Sequence, residues 1–151
     1  MIQRIQSIYL FLAAAALGCS SFFPLATASG DAAALAATGD NLFADGTYWP
    51  NEFPGWMGAV FLTAAAVFTI FLYKNRTRQM LLAGGIALGA VLLLVAFAAL
   101  GYYNAQRLPE GNDAQLALGS VFPPAAVPLL LLAYRAIKKD EALVRSSDRL
   151  R

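Results

Sequence analysis

The chain has no histidine and one cysteine, Cys19, among its 151 residues. Without histidine it lacks the commonest general base, the usual neutral metal ligand and the side chain that titrates near neutral pH. One cysteine excludes an intrachain disulfide. Charge is scarce as well: 13% of residues are charged, against about 25% in an average soluble domain. No phosphate-binding glycine loop, metal-ligand spacing or nucleophile constellation is visible. Together these absences argue against an enzyme, and no cofactor is expected.

What is present is apolar sequence in long pieces, 59% of the chain overall. Four stretches carry no charged residue: 5–28, 56–73, 80–105 and 114–134. A helix rises about 1.5 Å per residue, so roughly 20 apolar residues cross the ~30 Å hydrocarbon core of a bilayer. The pattern predicts an all-α fold, an integral membrane four-helix bundle with spans at about 5–25, 54–73, 80–103 and 116–137. The first run also fits a secretory signal peptide, with Ala26-Thr27-Ala28 as a small-x-small cleavage pattern, and loosely a lipoprotein signal at Cys19. Its length favours a retained span, with Pro24 near its far end.

The charges fix the orientation. Four spans put both termini and the 74–79 turn on one side, and the loops 26–53 and 104–115 on the other. Of the 11 Lys and Arg residues, all but Arg107 fall on the termini side. By the positive-inside rule, that side is the cytoplasm. The first loop is acidic and Ala-rich, and its Tyr48-Trp49 and Trp56 read as an aromatic belt at the membrane boundary. Tyr102-Tyr103 reads the same way.

Within the four uncharged runs no Asp, Glu, Lys, Arg or His appears, whereas pumps and proton relays usually need an ionisable group at depth. Ser20, Ser21, Thr63, Thr69 and Ser120 are expected to bond back to the backbone. Gly85 and Gly89 have the small-xxx-small spacing that lets helix backbones approach, here expected within one bundle. Pro124 fits the first turn of the fourth helix, and Pro128 removes a bond to the carbonyl of Pro124 and bends it.

The charged end is the best candidate contact surface. From residue 129 onward there is no Gly or Pro. At 100° per residue, Ala136, Ile137, Leu143, Val144 and Leu150 gather on one side of a helix. Arg135, Lys138, Lys139, Arg145 and Arg149 gather on the other. This is a C-terminal basic amphipathic helix of the kind that lies on an anionic leaflet or docks on a partner protein through a Leu143/Leu150 stripe. Lys74, Arg76 and Arg78 of the central turn add to the same cationic face. Asp140, Glu141 and Asp148 dilute the positive charge, and no nucleic acid is expected as a partner.

The lead Met1–Gln6, the turn Leu72-Tyr73-Lys74-Asn75-Arg76 and the ending from Ala133 to Arg151 resemble the domain of unknown function 4293 family, small four-helix membrane proteins of Bacteroidetes-type bacteria. Tyr134 stands where the usual family ending has Asn. The resemblance implies a multi-pass protein of the bacterial inner membrane, uncharacterised in function. It carries no activity to transfer. The residues leave two readings: a non-enzymatic scaffold or accessory subunit whose basic tail contacts the lipid bilayer or an unidentified membrane or cytoplasmic protein, or a small transporter or channel for a neutral or amphiphilic solute, gated near Pro124 and Pro128.

Overall fold

The computed structural model describes residues 2–30, 45–52, 56–108 and 110–148. Among them are four α-helices: α1 (Ile2–Cys19), α2 (Trp56–Phe71), α3 (Arg76–Ala105) and α4 (Phe122–Asp148). Three short strands, β1 (Ala26–Ser29), β2 (Thr47–Tyr48) and β3 (Asp113–Leu116), form one antiparallel sheet in the order β2-β1-β3. Short 3-10 turns cover Pro50–Glu52 and Leu118–Val121.

The helices pack up and down. The start of α1, the α2–α3 turn and the end of α4 share one end of the bundle, the termini end. The sheet covers the opposite end, the loop end. The core is built from small residues. Leu10, Ala13, Ala14 and Leu17 of α1 recur at three- and four-residue intervals, which puts them on one helix face. They meet Ala66 of α2, Ala83, Ile86, Ala87 and Ala90 of α3, and Ala126, Leu130, Ala133 and Ile137 of α4. Large side chains point outward: Phe61 is 71% exposed, Leu81 75% and Phe11 63%.

Several expectations change. The fold is mostly helical but not all-α, because the segments read as connecting loops carry the sheet. β1 pairs with β2 through Ala26↔Tyr48 and Thr27↔Thr47. It pairs with β3 over four residues, from Ala26↔Leu116 to Ser29↔Asp113. The first helix stops at Cys19, short of residue 25. Ser20 donates its hydroxyl to Leu17 O at 2.6 Å, and the Ser21 and Phe22 amides turn back onto Gly18 O and Cys19 O. Pro24 then blocks re-entry into a helix, and Ala26-Thr27-Ala28, the candidate cleavage pattern, forms most of the central strand. The fourth helix starts at Phe122 and runs through Pro128 without interruption.

Two glycines at the loop end are required by geometry. Gly46 closes the approach to β2 with φ +79°, the left-handed region that the Asp45-Gly46 turn signal calls for. Gly119 lies against the α1–β1 connection, where its amide donates to Pro24 O at 2.8 Å. A Cβ there would sit 2.4 Å from the carbonyl oxygens of both Phe23 and Pro24. In the helices, Gly89 faces Leu62 of α2, whereas Gly85 has nothing within 4 Å of its Cβ direction. Gly89 therefore serves packing inside the bundle, and Gly85 faces open space.

Two stretches, Arg76–Ala105 and Leu118–Val144, are long and apolar enough to cross a membrane, and Ile5–Cys19 and Trp56–Phe71 are shorter apolar helices.

Candidate interaction surface at the termini end

The termini end is held by polar groups placed in line with the small-residue stripes. Gln6 lies four residues before Leu10 on the buried face of α1. Gln79 lies four before Ala83 on the buried face of α3. Each is 2% exposed. A buried amide is costly unless hydrogen-bonded, and both are. Gln6 Nε2 donates to Ala136 O of α4 at 3.1 Å, and Gln79 Nε2 donates to Thr69 O at the end of α2 at 3.2 Å. Thr69 turns its own hydroxyl back to Ala65 O at 2.7 Å. One amide thus ties α1 to α4 and the other ties α2 to α3.

Above this layer the α2–α3 turn meets the end of α4. Asn75 caps α3, its side chain accepting from Arg78 N at 3.3 Å. The cap satisfies one of the free amides of the first turn and sets Arg76 at the start of the helix. Arg76 Nε then reaches Asp140 Oδ2 of α4 at 3.2 Å, with side-chain exposures of 28% and 15%. Tyr73, Lys74, Asn75, Arg76 and Thr77 line a wide cleft whose other wall is Glu141 and Val144 of α4. The turn and the tail are therefore one surface, and α4 beyond Ile137 is braced by the turn rather than left as a separate helix.

The sequence profile of a family described as Domain of unknown function (DUF4293) matches residues 2–150. The chain belongs to this family. No curated protein and no solved structure matches the chain.

In this DUF4293 protein, most of the residues singled out in the sequence come together at the termini end. Lys74, Arg78, Arg135, Lys138 and Lys139 are exposed. Leu143 and Val144 are exposed too, at 47% and 37%. Arg76 is half-buried in its pair with Asp140, so it braces the surface and is not a free cation on it. Arg145 falls within α4. Arg149 and Leu150 lie outside the described residues, as do most of the acidic Ala-rich loop (31–44) and Phe53-Pro54-Gly55. Ile137 departs from its expected place: it is fully buried, part of the bundle core, and not of the surface stripe. Of the five hydroxyls read as lying in the apolar runs, four bond back to the backbone as expected: Ser20 as above, Thr63 to Ala59 O, Thr69 to Ala65 O and Ser120 to Ala117 O.

Sequence reasoning missed the Gln6 and Gln79 amides and the Arg76–Asp140 pair. A signal for the glutamines existed: each extends a buried small-residue stripe by one four-residue step. The ion pair spans residues 64 positions apart, and no periodicity within one helix carries it.

At the loop end, burial raises Tyr48 from 10.0 to about 12, with the Glu52 charge adding to the effect. Glu52 is itself raised, first by burial and also by Asp45, against a lowering bond from the Trp49 amide. Arg107 stacks over Tyr103 at 4.1 Å and donates to its hydroxyl.

Proposed function

We propose that this protein is a multi-pass protein of the bacterial inner membrane with both termini in the cytoplasm, and that it is a non-enzymatic scaffold or accessory subunit. The membrane part of the reading rests on where the side chains point. The buried face of each helix is rich in alanine, and the exposed faces carry Phe11, Phe61, Phe68, Leu81, Leu88 and Leu92. Water would drive such groups inward, and soluble monomers rarely expose apolar patches beyond a few hundred Å². A lipid solvent removes that drive, and small residues then favour close helix contact. Ten of 11 cations on the termini side support the orientation.

The observation that carries the scaffold role is the braced tail. Leu143 and Val144 stand exposed beyond the apolar part of α4, with Lys138 and Lys139 one turn earlier, on a helix fixed to the α2–α3 turn by Arg76 and Asp140. A rigid, basic and partly apolar projection costs little ordering entropy to dock. It fits an anionic leaflet or an acidic partner surface. The centre of the bundle is filled by side chains at or near zero exposure, which favours this reading over a solute path.

The test is a photo-crosslinking side chain at Leu143 in native membranes. A discrete protein adduct, lost in the Lys138→Glu/Lys139→Glu variant, is the expected result for a docked partner. Adducts to lipid alone would place the tail on the leaflet. No adduct of either kind, together with solute flux in proteoliposomes, would overturn the scaffold reading in favour of a transporter.

A further inference from the structure

Beneath the sheet lies a cavity of about 430 Å³, within the range of small-molecule sites. One wall is a single face of α3: Leu94, Phe97, Ala98, Gly101, Tyr102 and Ala105. Their spacing follows the three- and four-residue steps of one helix face, and from Leu94 to Ala105 the slot runs about 16 Å along the axis. The opposite wall is Leu25, Ala26 and Tyr48, with Pro123 of α4. Ala98, Gly101 and Ala105 are the small residues of the α3 wall and leave room between Leu94, Phe97 and Tyr102. Even at Gly101, an added Cβ would meet Tyr48 Cε1 only at an ordinary 3.7 Å.

The slot opens sideways. At its mouth Ala98, Tyr102, Ala114 and Leu116 are exposed, and Leu116 is 86% exposed although apolar. The α3 surface just below the mouth continues outward as Val91, Leu92 and Val95. Polar groups collect toward the loop end, where Gln115 lies on β3, an edge strand among the described residues, and Ser120 on the 3-10 turn that follows it.

We propose that this slot holds one acyl chain of a phospholipid from the extracytoplasmic leaflet, with its glycerol-ester region beside Gln115 and β3. This rests on the membrane reading above. Three features point to that occupant. The slot is narrow and long, and its length of about 16 Å matches one leaflet's half of the ~30 Å hydrocarbon core. Its lining is apolar in depth and polar only at the top, the gradient of a lipid itself. Its mouth faces the apolar flank of the bundle, from which a chain enters without crossing water.

The full-length protein is reconstituted in phosphatidylethanolamine vesicles doped with a phosphatidylglycerol carrying a diazirine at the end of one acyl chain, then irradiated, and the adducts are mapped by mass spectrometry. Adducts are expected to concentrate on the Leu94, Phe97 and Ala98 end of the slot, about tenfold above the equally lipid-facing Phe61 and Leu88. Ala98→Phe, a change at the exposed mouth, is expected to remove that excess, as is Gly101→Leu inside the slot. Leu92→Phe, on the neighbouring outer surface, is expected to leave it. Labelling spread evenly over all exposed apolar positions, or an excess unchanged in both slot variants, would overturn the proposal. An alkaline carbonate wash of the same vesicles separates the two levels. Release of the protein would overturn the membrane reading and the slot together, and retention with even labelling would overturn the slot alone.

Discussion

Gln6, Gln79 and Arg76 join the helices at the termini end through single side-chain bonds, whereas the loop end is joined by the backbone ladder of β1 with β2 and β3. The difference lies in how much one substitution can undo. A side-chain hydrogen bond contributes about 1 kcal/mol net, and a partly exposed ion pair between 0 and about 1 kcal/mol. The ladder adds many bonds along one strand and requires close backbone approach, so it fails as a unit. The termini end can therefore vary in strength while the bundle stays folded. The loop end is the fixed reference from which α4 departs.

The comparison is broken most severely at Gly119. Gly119→Val places a branched side chain where a Cβ alone would lie 2.4 Å from two carbonyl oxygens. Overpacking of this kind costs about 3 kcal/mol, and those atoms are backbone that cannot swing aside. Thermal unfolding in detergent should show the loss, and a variant as stable as the parent would mean the loop end is not closed as described. Next is the amide layer. Gln79→Leu removes the side-chain donor to Thr69 O, which keeps the Leu72 amide at 3.2 Å, and should cost about 1 kcal/mol, as should loss of the amide to Ala136 O in Gln6→Leu. A loss as large as that of Gly119→Val in either case would erase the contrast between the ends.

Smaller still is the Arg76–Asp140 pair. Arg76→Gln should lower stability by about 0.5 kcal/mol, and the deficit should shrink as salt is raised, because screening acts on partly exposed charges. A salt-independent deficit would point to packing of the arginine stem instead. Least visible at neutral pH is Tyr48. Its folded-state value of about 12, against 10.0 for the free group, means that the folded protein keeps a proton which the unfolded chain gives up between those values. Stability should therefore fall as pH rises through that window, and Tyr48→Phe should remove this component of the alkaline transition. Ultraviolet titration of the parent and the variant checks it.

The helices were legible in the sequence because uncharged runs of this length have few other uses, and the end of α4 because no Gly or Pro interrupts it. The sheet was not. Ala26-Thr27-Ala28-Ser29 has low strand propensity and no alternating apolar face, and its partners lie about 20 and 90 residues away. Backbone pairing at that range is set by the packing of the bundle and not by local pattern. At the candidate surface the cations were legible by counting. The burial of Ile137 was not, because the helical wheel groups it with Leu143 and Val144. The bundle core stops between them: Ile137 is still part of it, whereas Leu143 and Val144 lie beyond it at 47% and 37% exposure, Val144 beside the α2–α3 turn. Arg76 shows the same limit, since charge type identified it as a contact residue and only its neighbour Asp140 assigned it a bracing role.

The central claim is a bundle turned outward to lipid, with its side-chain-tied end in the cytoplasm. Labelling of single-cysteine variants with a membrane-impermeant maleimide tests it most directly, in a Cys19→Ser background that removes the chain's one native thiol. In intact spheroplasts Asn51→Cys, exposed at the loop end, should react, and Ser146→Cys, exposed at the termini end, should react only after the membrane is permeabilised. Reaction at Ser146→Cys in intact spheroplasts, with Asn51→Cys protected, would invert the orientation; equal reaction at both without permeabilisation would contradict the embedded bundle itself.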